Sequence, residues 1–111
     1  MNINDYILSK VENHMLLEAS IIDLATFLGH SVQKPISSHV FCLELGLTIE
    51  DHDKIMGRLS FLSDKASLNI NDVRKELSKI VPEITNFSDD VFNGMLRIFL
   101  KQFDISLDLT E

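Results

Sequence analysis

The sequence contains a single cysteine, Cys42, so no disulfide can close within the chain and a reducing compartment is the expectation. Two prolines and four glycines supply little punctuation for loops or hairpins. The opening Met-Asn-Ile-Asn-Asp-Tyr has neither the basic cluster nor the apolar run of a secretion signal. No apolar stretch approaches the roughly 20 uninterrupted residues of a membrane span. These absences make the cytoplasm the expected location.

Positive charge is also scarce. Ten Lys and Arg face seventeen Asp and Glu, for a net charge of −7. Nucleic-acid binding draws its affinity from basic side chains that neutralise phosphates and release counterions. Here the basic residues are scattered singly apart from Arg74-Lys75, so neither a nucleic acid nor a membrane is an expected partner. The acids are dispersed too, which suits plain solubility. They would also suit a basic protein partner or mimicry of DNA.

What is present is a globular composition, 45% hydrophobic and 24% charged over 111 residues, enough for one domain. Apolar residues recur at helical spacing almost throughout. A first helix is predicted from an Asn4 cap to about Leu28, with Gly29 placed to end it. Pro35 can open a short second helix carrying Val40, Phe41, Leu43 and Leu45, stopped by Gly46. Thr48 and Asp51 form a capping-box pattern, with Leu47 as a hydrophobic staple, ahead of a third helix holding Ile55, Met56, Leu59 and Leu62. Asn71 is the expected cap of a fourth helix with Val73, Leu77, Ile80 and Val81, which Pro82 terminates. Ser88 starts a fifth, with Val91, Phe92, Met95, Leu96, Ile98, Phe99 and Phe103 on its apolar face. Gly94 within it marks a point where another helix can approach closely. The fold class is therefore all-α, a single-domain bundle of about five helices spanning 1–111. Residues 104–111 alternate apolar and polar, and read as a short strand, an extended arm or a loose tail.

The first helix carries more hydrophobicity than one core requires. Its apolar side chains cover roughly 200° of a helical wheel, about twice what one interface needs. One half of the arc holds Leu17, Ile21, Leu24 and Leu28, and the other holds Leu8, Val11, Met15 and Ile22. Lys10, His14 and Glu18 run between them as a polar row. About 25 residues make a rod of roughly 36 Å, the full diameter expected of a domain this size, about 34 Å. Either four shorter helices wrap this rod on two sides, or a second chain covers part of it as a two-fold dimer. The candidate interaction surface is Leu8, Val11, His14, Met15, Glu18 and Ile22.

Candidate chemistry is sparse. His14 and Glu18 are one turn apart, as an imidazole and its orienting carboxylate would be, but an i,i+4 hydrogen bond explains the pair without catalysis. His39 and Cys42 have i,i+3 spacing, with His30 the only further candidate, so a zinc site lacks a complete ligand set. Cys42 buried as a small apolar residue, with His39 at the surface, is the simpler reading. The acids around His52 and the Asp89-Asp90 pair complement positive helix starts. No phosphate-binding loop, nucleophile elbow or metalloprotease motif occurs, and no catalytic residue, cofactor or metal is expected.

From about Pro35 to Phe103 the order of elements resembles the uncharacterised YhaI-like small helical proteins of bacilli. The residues that carry this are the proline ahead of a short apolar helix, Leu45-Gly46-Leu47-Thr48, the acidic helix start before Ile55-Met56, and the stretch from Val91-Phe92 to Phe103. The resemblance implies an all-α protein with no assigned activity. The expectation is a non-enzymatic interaction or regulatory module, self-associating through its first helix. Its rivals are a small metal- or His-dependent enzyme and a phage or mobile-element inhibitor of a host protein.

Overall fold

A computed structural model describes residues 2–65 and 67–110. Five helices dominate: α1 (Ile3–Phe27), α2 (Ser38–Glu44), α3 (Ile49–Leu62), α4 (Ile70–Ile80) and α5 (Asp89–Gln102). A 3-10 turn, Pro82–Asn86, links the last two. The fold is all-α, a single domain with a long N-terminal helix.

Local chemistry sets most boundaries. Thr48 and Asp51 close a reciprocal capping box, each side chain accepting the other residue's backbone N–H. Ser88 caps α5 through Val91 N–H, and Pro82 diverts the chain into the 3-10 turn. Three starts differ from the pattern reading. Asn2 rather than Asn4 caps α1 by accepting the Asp5 N–H, and Asn69 rather than Asn71 caps α4. Ser37 opens α2, while Pro35 stays buried in the preceding loop. The tail is tied down: Leu109–Thr110 (β2) pairs in parallel with Leu68–Asn69 (β1), and Ile105 and Leu107 pack on the core.

The core sits among α2 to α5. Phe41, Ile55, Leu59, Val73, Leu77, Val81, Ile84, Met95 and Phe99 are fully buried. Arg74 fastens α4 to α5, pairing with Asp89 at 3.0 Å, donating to the Phe87 carbonyl and lying over the Phe92 ring. Gly94 admits a close neighbour, but that neighbour is a loop rather than a helix. A Cβ there would clash with the Gln33 carbonyl oxygen and stand 3.1 Å from Pro35 Cδ. Gly94→Ala should therefore lower unfolding stability by about 1–3 kcal/mol, overpacking outweighing the better helix propensity. A chemical-denaturation midpoint unchanged or raised in that variant would refute the close approach.

Helix α1 is not wrapped. Along its length only Ala25 is buried and Ile22 half-buried, where its C-terminal end packs on α2. The chain measures 60 × 28 × 24 Å with a radius of gyration of 16.5 Å, against about 13 Å for a sphere-like domain of this length. Of the two alternatives, the central helix wrapped on two sides by the others is thus overturned. The four shorter helices close a core with one another and leave α1 projecting from it.

Candidate interaction surface and a sealed polar relay

The junction of α1 with the rest of the fold is held by specific hydrogen bonds. Gly29, at φ 96°, takes the left-handed backbone that ends the helix, so that His30 N–H reaches the Ala25 carbonyl and Gly29 N–H the Thr26 carbonyl. His30 is then buried as a clamp. Its Nδ1 accepts the Ile36 N–H at 3.2 Å, which leaves Nε2 to donate to Glu44 at 3.0 Å. His30, a further zinc candidate by residue type, thus serves as a structural clamp. Its role depends on Glu44, fourteen positions away, which no local pattern links to it.

Beyond this joint, α1 presents its apolar arc to solvent. Of sixteen exposed large hydrophobic side chains among the described residues, eleven are on α1. Leu8, Val11 and Met15 are each at least half exposed, and His14 and Glu18 are exposed beside them. Leu8, Val11, Met15 and Glu18 alternate spacings of three and four, the seam along which a second helix can pack knobs into holes, and Ile22 and Ala25 continue the row into the joint with α2. Ile7, Leu17, Ile21 and Leu24 form a neighbouring stripe, also exposed. His14 and Glu18 make no hydrogen bond with each other among the described residues, so both remain free to face a neighbour. The candidate surface holds together as one face of a projecting helix.

The other chemistry lies elsewhere. Cys42 is buried, and burial, helped by the charge of Asp51, pushes its thiol up to about 12, away from thiolate chemistry. His39 is exposed and stacks on His52 rather than turning toward Cys42 as a ligand pair would, and no metal-ligating group of three forms among the described residues. His52, read from the sequence as one of several polar residues at a helix start, is buried at 1% exposure. Its Nε2 lies 2.8 Å from Ser38 Oγ and its Nδ1 3.0 Å from Asp53 Oδ1.

These are the distances of a hydroxyl–imidazole–carboxylate relay. Its surroundings fit a structural role. Ser38 is 0% exposed, its backbone N–H is taken by Gln102 Oε1 at 2.8 Å, and the imidazole lies between His39 and Phe99. A substrate cannot reach the hydroxyl without opening α2, α3 and α5. Asp53 accepts from Nδ1, Nε2 shares a hydrogen bond with the Ser38 hydroxyl, and the buried polar side-chain atoms of the relay all have partners. Position offered one clue: His52, Ile55, Leu59 and Leu62 recur at the spacing of one helix face, and all four are buried.

Comparison with family models, curated proteins and solved structures finds no match to this chain.

Proposed function

We propose that the protein is a non-enzymatic interaction or regulatory module that assembles with a second copy of itself through α1, in its simplest form as a two-fold dimer. The carrying observation is the unpartnered apolar arc of α1, which projects from the core beyond the His30 clamp. Each large apolar side chain left in water forgoes about 1.5–3 kcal/mol of burial, and contiguous patches of this kind mark interaction surfaces. A second copy is favoured because the rest of the chain offers no matching surface. Its exposed large hydrophobics among the described residues, beyond Leu28 next to the helix, are Ile36 in the loop after α1, Ile49 and Phe61 at opposite ends of α3, and Leu109 in β2. The stripe on α1 is complementary chiefly to itself, as an isologous interface requires.

Light scattering on the full chain tests this directly. The expected molar mass is twice that of the chain or a higher even multiple, the latter if both stripes are used. A strict monomer at high concentration would eliminate the reading.

A further inference from the structure

Three basic side chains that stand apart in sequence line one open depression. Lys34 comes from the loop after the α1 joint, and Arg97 and Lys101 from one face of α5. Gly94 is what brings them together, because its missing side chain lets the loop backbone at Gln33 rest on α5. The depression has a volume of about 790 Å³, within the range of small-molecule sites. Its lining contains no carboxylate, and none of the three cations forms an ion pair among the described residues.

Two other depressions are also lined by three cations and no carboxylate, but most of those cations, Lys54, Arg58, Arg74 and Lys79, have a carboxylate partner beside the lining. Arg97 and Lys101, one turn apart, instead repel each other and meet a third cation across the depression. A bound anion would relieve that repulsion with charge-assisted hydrogen bonds, and Arg supplies the planar fork suited to phosphate oxygens. Ile36 and Ile98 add an apolar floor, able to take the non-polar part of a phosphorylated molecule. We infer that this depression binds a small phosphorylated ligand, with Lys34, Arg97 and Lys101 holding its phosphate oxygens.

The test is an NMR titration of the isotopically labelled full chain with two probes, inorganic pyrophosphate and ADP. Saturable shifts confined to residues 34–38 and 97–102 are expected with both, tighter than about 1 mM and weakened by added salt. Equal affinity for the two probes would mean that only the phosphates are read. Tighter binding of ADP would bring in the Ile36 and Ile98 floor. In the variant Arg97→Glu, Lys101→Glu, whose altered side chains are both exposed, the dissociation constant should rise about tenfold or more. Lys75→Glu, outside the depression, should leave it unchanged. Absence of saturable shifts with both probes would overturn the inference. So would shifts centred elsewhere, or the same weakening by Lys75→Glu as by the double variant.

Discussion

Replacing Val11 and Met15 together by Glu is expected to convert the proposed dimer to monomer while leaving its helical circular dichroism largely in place. Both side chains are exposed and belong to the same stripe of α1, so neither contributes to the core that holds α2 to α5 together. Each removes an apolar contact and puts a carboxylate into the seam of both copies, where like charges meet across a two-fold axis. Four burials are lost, two in each copy, and each side chain is about half exposed to begin with. Each loss is therefore about half of the 1.5–3 kcal/mol for full burial, which weakens association by two to four orders of magnitude at about 1.4 kcal/mol per factor of ten. Ile22 is a poorer choice, because it is half-buried at the joint and its loss would disturb the attachment of α1 as well. Light scattering and circular dichroism on the same samples separate the possibilities. A variant that stays assembled would rule out this seam. One that unfolds completely would show that α1 is needed for the core.

The second large effect belongs to the sealed relay. His52→Ala should cost about 3–5 kcal/mol of unfolding free energy, the range for truncating a buried ring. It also leaves the Ser38 hydroxyl without its partner in an apolar setting. The lost ring touches three aromatic neighbours, His39, Phe99 and Phe103, so the cavity opens where α2, α3 and α5 converge. Against a total stability of about 5–15 kcal/mol for a typical domain, this is enough to leave a marginal fold. Equilibrium urea unfolding measures it. A loss below about 1 kcal/mol, the scale of a single ordinary hydrogen bond, would mean that the relay is not a structural clip.

Much of the fold was legible because its helix ends are written in short-range chemistry. Thr48 with Asp51, Ser88, Gly29 and Pro82 act within a few residues of themselves, and each does in the structure what its position implies. Where two asparagines compete, as at Asn2 and Asn4 or Asn69 and Asn71, the pattern is ambiguous by two residues, and only the geometry of the amide reached decides. The apolar arc of α1 was visible, but its fate was not. Whether four short helices wrap a long one or close on each other depends on long-range packing that periodicity does not encode. The relay and the basic depression were hidden for the same reason. Ser38 and His52 are fourteen residues apart, and Lys34 meets Arg97 only because the loop rests on Gly94.

The loop after α1 belongs to two structures at once. Ile36 gives its backbone N–H to the His30 clamp that sets the angle of α1, and Ile36 and Lys34 also line the basic depression. Anything that draws Lys34 toward Arg97 and Lys101 therefore pulls on the hinge of the projecting helix. If the occupied depression prefers one helix angle, ligand and assembly are thermodynamically linked. The factor by which the ligand tightens pairing must then equal the factor by which pairing tightens the ligand. The single ten-residue connection between α1 and α2, residues 28–37, would be enough to make the chain's oligomeric state report on the concentration of a small molecule.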